Sequence, residues 1–381
     1  MHVVFVLPPT ETYSREWSGA IATITRYLAE ELHRAGVLVT VVTPDDAGHM
    51  HPFGEVIRLP FGPARPRARL LRKADAAWAR LRRWTWPDYR LYWRAVRRAL
   101  GSLSEPADVV VLANDPLTAD RLARLGTPQA VLWLHNYLAG PESAPLARLS
   151  DAVRIVAVSE SVAEWTRAQL PPGHPITVIH SGVDRKLFHP REDWRAALDP
   201  VRVVCHGRID PNKGHEAAAA AVEQLRSEGL PVTLTVIGEV RTFGFSRAEE
   251  DAYRDRLDQL IARAEGTHRG WLPHDQLAQQ LRDHDVACVL SRVHEPFGLV
   301  NLEAMASGCA IVTTGTGGIL EAVGDGAAIV PPDSPIEVAK VLRTWVADRS
   351  LLADRKQAAL DRSEDLTWAA SATSFLTLVT G

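Results

Sequence analysis

Two acids and two bases stand out by type and spacing. Glu295 and Glu303 lie eight residues apart around Pro296-Phe297-Gly298, and Arg208 and Lys213 lie five apart within Gly207-Arg208-Ile209-Asp210-Pro211-Asn212-Lys213-Gly214. A guanidinium offers phosphate a bidentate fork and an ammonium a point charge. Carboxylates accept hydrogen bonds from hydroxyls. Between the acids, Leu299, Leu302 and Ala306 recur at helical spacing and Gly308 offers a stop. The first N–H groups of such a helix, around Phe297, Gly298 and Leu299, lack intrahelical acceptors and suit a phosphate. Gly298 leaves room for close approach. The ligand that matches acids, cations and amides together is a diphosphate carrying sugar hydroxyls.

These residues need elements that present them on one edge. Val286 to Leu290 is an apolar run with the pattern of a strand buried on both faces, and the polar loop SRVHEPFG separates it from the helix. VRVVCHGRID leads in the same way from strand to loop to an Ala-rich helix. In a parallel α/β sheet both loops fall at the carboxyl edge, where such folds bind ligands. The first half repeats the pattern. HVVFVL (2–7) reads as a strand, Ala20 to Ala35 as a helix with Ile21, Ile24, Leu28 and Leu32 on its apolar face, and 37–43 as the next strand, a right-handed β-α-β unit. Further strands are expected at 108–113, 129–134, 154–158 and 232–240, with a helix from Arg247 to Ala264. His135 directly follows a strand end, so its side chain is expected at the carboxyl edge; Ser159 reads as an N-cap, and Gly182 as a turn with Asp184 as a local hydrogen-bonding residue.

HEPFGLVNLEAMASG, followed by CAIVTT and GTGGILEAV, resembles the E-x7-E signature of the GT-B glycosyltransferases, in particular the large retaining family 4. Gly207 to Gly214 resembles the same family's G-R-x4-K-G phosphate pair. The resemblance covers most of the chain, strongest over 201–330 and weaker over 45–105. It implies an α/β fold of two Rossmann-like domains facing across a cleft. Residues 1–190 would bind the acceptor, 200–365 the nucleotide sugar, and a helix at 366–381 would cross back to the first domain. The implied reaction moves a sugar from a UDP- or GDP-sugar to a glycan, lipid-linked or small-molecule acceptor with retention and without metal or other cofactor. Carried over residue by residue, Glu295 would hold sugar hydroxyls, Glu303 the ribose, and His135 would sit beside the reacting sugar. Gly238 would lie beside the nucleobase, which backbone near Trp271-Leu272 would contact. Gly19-Ala20 resembles the family's GGA-type loop at a diphosphate, although Ser18 stands where the first Gly is usual. Arg208, Lys213 and the amides of Phe297, Gly298 and Leu299 would stabilise the departing diphosphate. A sugar-nucleotide epimerase of the same fold, or a nucleotide-binding scaffold without turnover, are the alternatives.

The bulk numbers agree with two soluble domains. The chain has 381 residues, 46% hydrophobic and 23% charged, with a net charge of −3, which implies no polyelectrolyte partner such as nucleic acid for the chain as a whole. Cys205, Cys288 and Cys309 sit in or beside apolar runs without C-x-x-C pairing, the pattern of buried free thiols. MHVVFVLPP lacks a basic n-region, and no apolar run reaches the ~18 residues of a spanning helix, so a cytoplasmic location is expected. Between 65 and 98, twelve Arg or Lys stand against two Asp, with Trp78, Trp84, Trp86 and Trp93 interleaved. Three readings stay open there: a solvated helix, peripheral contact with an anionic inner membrane face, or an acidic or polymeric acceptor, nucleic acid included. Asp283-His284-Asp285 has the form of a metal-binding D-x-D but precedes a strand rather than following one, so it is expected to be structural and the metal set is expected to be empty.

Overall fold

The computed structural model describes residues 1–14, 19–45, 48–60, 90–126, 128–242 and 245–381. Short apolar runs and amphipathic helices alternate along it, and they assemble into two compact units, Met1–Ser181 with Trp368–Gly381, and Gly182–Thr367.

In the first unit, β1 (His2–Val6), β2 (Leu38–Pro44), β3 (Glu55–Leu59), β4 (Val109–Ala113), β5 (Gln129–Leu134), β6 (Arg154–Ala157) and β7 (Ile176–Val178) form one sheet in the order β3-β2-β1-β4-β5-β6-β7. Every pairing is parallel. Strands covered by helices on both faces must be apolar at nearly every position, and β1 and β4 are buried at every residue, His2 being the polar exception. The helix Ala20–Arg34 buries Ile21, Ile24, Leu28 and Leu32 as its spacing predicts. The C-terminal helix Trp368–Thr380 packs within this unit. Trp368 stacks on Tyr27 at 5.2 Å, Phe375 lies 5.6 Å from Trp133 and 6.3 Å from Phe5, and Ser371 Oγ donates to His180 O at 2.6 Å.

The second unit holds β8 (Val201–His206), β9 (Val232–Ile237), β10 (Thr267–His268), β11 (Val286–Val289), β12 (Ala310–Thr314) and β13 (Ala327–Val330), again all parallel, in the order β10-β9-β8-β11-β12-β13. The core gathers Val201, Val203, Leu234, Val236, Val286 and Val312 under Ala-rich His215–Ser227. Both units are doubly wound, Rossmann-type sheets. In each the strand order reverses once, between β1 and β4 and between β8 and β11, and a ligand crevice is expected outside the carboxyl ends at that point.

Two expectations need correction. The unit boundary falls after Ser181, not at 190–200, because the following stretch is tied to the second unit: Val183 N donates to Leu366 O at 2.9 Å, Arg282 Nη1 to Leu187 O at 3.1 Å, and Leu198 N to Asp285. The turn expected at Gly182 lies at 185–187, where Asp184 Oδ1 accepts the N–H of Lys186 and Leu187. Residues 65–89 of the basic, Trp-rich segment lie outside the described residues. Its end, 90–98, belongs to the helix Arg90–Gly101, with Tyr92 and Val96 buried and Arg94, Arg97 and Arg98 exposed. No helix among the described residues is long and apolar enough to cross a membrane.

Candidate active site

The reversal between β8 and β11 brings the acids and bases together. β8 ends at His206 and opens into Gly207–Gly214, where Pro211–Lys213 forms a 3-10 turn. Asp210 caps that turn by accepting the N–H of Asn212 at 2.8 Å, and the same carboxylate accepts Arg208 Nε at 2.8 Å. The guanidinium is therefore oriented yet 39% exposed. Gly214 is left-handed (φ 68°), and a Cβ there would stand 2.1 Å from Leu290 O. Only glycine lets this loop lie against the end of β11.

On the β11 side, Lys213 Nζ donates to Glu295 Oε1, and Ser291 Oγ donates to the same oxygen at 2.7 Å. Arg292 fastens the two loops through its N–H to Asn212 O and its Nη1 to Pro211 O, each at 2.8 Å. The glycine loop after β12 joins them, since Gly318 N donates to Glu295 O at 2.8 Å and Thr316 Oγ1 to Val293 O at 3.0 Å. Gly298 (φ 92°) starts the eight-residue helix Leu299–Ala306. As N-cap, N1 and N2, the amides of Gly298, Leu299 and Val300 have no acceptor within the helix. Phe297 is buried and anchors that start. Val300 would lie 3.2 Å from a Cβ on Gly207, so the helix start and the β8 loop are in contact. Glu303, on the same helix, brings Oε2 within 3.4 Å of His206 Nε2.

Gly238 ends β9. Its N–H donates to Gly270 O at 2.8 Å and its carbonyl lies 3.1 Å from His268 Nε2, which draws the Trp271-Leu272 turn to the same edge. Trp271 is 51% exposed there. Arg208, Lys213, Glu295, Phe297, Gly298, Leu299, Glu303, Gly207, Gly238 and Leu272 thus all lie at the carboxyl edge of one sheet. Sequence reading missed Asp210, Ser291 and His206. The Asp-Pro start of the turn and the Ser four residues before Glu295 were the available signals.

His135 and Gly19 belong to the first unit. His135 follows β5; its N–H donates to Asn114 Oδ1 at 2.7 Å, and its ring stacks on Trp133 at 5.8 Å. Burial lowers its pKa to about 3 from 6.5, and Nδ1 has no partner among the described residues. This imidazole is neutral near pH 7. At Gly19 the structure places a carboxylate where the sequence suggested a phosphate. Glu11 Oε2 accepts the N–H of Ala22 at 3.0 Å, and a Cβ on Gly19 would meet the Glu11 carboxyl at 2.7 Å. Burial outweighs these bonds and raises the Glu11 pKa.

Asp283-His284-Asp285 is structural. Asp285, wholly buried, pairs with Lys356 Nζ at 3.0 Å and accepts the N–H of Leu198 and Arg202, while His284 lies within 2.9 Å of Thr235 Oγ1. Among the described residues no group of three or more His, Cys, Asp or Glu is placed to hold a metal ion, and all three cysteines are buried and free.

Comparison with known proteins agrees with this geometry. The family model "Glycosyl transferases group 1" matches residues 190–362, and "Glycosyltransferase Family 4" matches 21–187. Glycogen synthase of Mycobacterium tuberculosis is 32% identical over 233 residues, 60% of this chain and 54% of that protein. The chain thus spans about half the length of that relative. Among solved structures, sucrose-phosphate synthase from Thermosynechococcus elongatus superposes with a TM-score of 0.75 at 22% identity, covering 99% of this chain and 98% of that one. Anabaena HepE in complex with UDP-glucose gives 0.72 at 19%, covering both chains completely, 100% and 100%. Those two likenesses show the fold, which is GT-B. With one model on each half and the paired acids and bases gathered on one edge, the chain belongs to the family 4, group 1 glycosyltransferases.

Proposed function

We propose that the second unit binds a nucleoside diphosphate-sugar and that the protein transfers its sugar, with retention and without metal, to the hydroxyl of an acceptor. The observation that carries this reading is the cluster Lys213–Glu295–Ser291 beside Arg208 and the helix start at Gly298. It combines fixed cations and amides for a diphosphate with a carboxylate for hydroxyls. The bond between the anomeric carbon and the β-phosphate oxygen breaks, and its electron pair stays on the phosphate. A bond from the acceptor oxygen forms at the same carbon, and the acceptor's proton is released. Arg208, Lys213 and the amides of Gly298–Val300 are set before that charge develops, so they need not reorganise as it does. Glu295 positions the sugar and Glu303 the ribose hydroxyls. His135 is proposed as a neutral hydrogen-bonding partner for an uncharged hydroxyl, since burial keeps its ring unprotonated.

UDP-glucose appears with one structural neighbour and a glucan-forming enzyme is among the relatives, which makes UDP-glucose the first donor to try. The test is a screen of UDP-, GDP- and ADP-sugars with EDTA present, read by thermal shift and by release of nucleoside diphosphate. One donor should raise the melting temperature and release its nucleotide. Conversion of the sugar without release would favour an epimerase. Release only on adding a divalent ion would remove the metal-free part of the reading. Stabilisation by none of the donors would point to a scaffold.

A further inference from the structure

We infer that His206 is a positioning residue for the donor nucleoside, acting through Glu303; the inference rests on the proposal that Glu303 receives ribose hydroxyls. His206 closes β8, one residue before the phosphate loop, and its side chain is fully buried. Its Nε2 lies 3.4 Å from Glu303 Oε2, yet neither ring nitrogen has a hydrogen-bond partner among the described residues. The Glu303 carboxylate, 14% exposed, accepts no hydrogen bond from the described residues, and this imidazole is its ion-pair partner among them. Glu295, by contrast, is held by Lys213 and Ser291.

A buried imidazole with both nitrogens unpaired is unusual, because its N–H and its lone pair have left water without replacement. A small shift of Glu303 toward β8 would turn the 3.4 Å approach into a hydrogen bond. Active-site contacts that are long without ligand often tighten in the complex. The Nε2–H would then hold the carboxylate in the one rotamer that accepts two vicinal hydroxyls, and would be satisfied at the same moment. A phenylalanine fills similar space without the donor; glutamine restores an N–H near the Nε2 position.

The experiment compares the affinity of wild type, His206→Phe and His206→Gln for the nucleoside diphosphate that binds best and for its 2′,3′-dideoxy form, by calorimetry, with steady-state kinetics on the nucleotide sugar. Loss of a hydrogen bond to a charged group is expected to weaken ribonucleotide binding in His206→Phe about tenfold. The dideoxy form, which gives Glu303 nothing to hold, should bind that variant within about twofold of wild type, a difference too small for a lost hydrogen bond. His206→Gln should recover most of the loss, and KM for the donor should rise while kcat at saturation holds. Equal weakening for both nucleotides, or none for either, would overturn the inference and leave the donor reading standing. Wild-type protein that binds neither nucleotide would remove the donor reading and the inference with it; wild-type protein that binds both equally well would remove the ribose role of Glu303 and the inference, and leave nucleotide binding standing.

Discussion

Charge that develops on a leaving group is best met by groups already fixed in place, and the two cations here are fixed by different means. Arg208 leans on Asp210 two residues away, whereas Lys213 reaches Glu295 across 82 residues of chain. Removing either cation should therefore act mainly on the chemical step. Arg208→Ala and Lys213→Ala are each expected to lower kcat by about 10²–10³, the usual effect of losing one preorganised donor. Lys213→Ala should also raise donor KM, because Glu295 loses the Lys213 side of the bridge that Ser291 completes. Near-normal turnover in both variants would refute the electrostatic account. The four charged residues were legible because each pair lies within one short stretch, Arg208 and Lys213 in one loop and Glu295 and Glu303 in a loop and the helix it opens into, where spacing is local information. Their cross-pairing was not, since it depends on β8 and β11 becoming neighbours. Glu11 was hidden for the same reason: nothing local shows its carboxylate folding back onto Ala22 and Gly19.

At the scale of elements, the site depends on how closely two loops approach. A side chain on Gly214 would press on Leu290 O, and one on Gly238 on Gly207 O at 1.9 Å, both backbone atoms that cannot rotate away. Gly229 is also left-handed (φ 81°) but faces open space. Gly229→Ala is expected to cost about 1 kcal/mol, the conformational term alone. Gly214→Ala should cost roughly 1–3 kcal/mol beyond that, through displaced backbone, and should weaken donor binding as well. Urea denaturation and calorimetry on the two variants make the comparison; equal losses would mean that the loop is not wedged against β11. Strands and helices themselves were readable from period and run length, because buried parallel strands must be apolar at nearly every position. Their order in the sheet, which creates the reversal between β8 and β11, has no local signature and was reached only through the resemblance of the loops.

For the whole molecule, acid sensitivity follows from histidines buried without charge. Burial lowers the pKa of His135 and His215 to about 3, Lys213 adding a smaller push on His215, against an ordinary value of 6.5. An unfolded chain takes up protons at both rings below about 6.5, whereas the folded protein does not until about 3. Their contribution is complete above pH 6.5 and shrinks as pH falls toward 3. The melting temperature should therefore drop between pH 6.5 and 4, and His215→Phe should flatten that limb for the second unit. An unchanged slope in the variant would assign the acid limb to carboxylates instead.

The helix Trp368–Thr380 sets an order of completion for the molecule. Its Phe375 lies against Phe5 of the first strand and Trp133 of the fifth, and its Trp368 covers Tyr27. A ribosome makes those partners early and the helix only after every strand of the second unit. The nascent first unit must therefore wait with Phe5, Tyr27 and Trp133 uncovered while its successor folds, so the half made first is the half finished last.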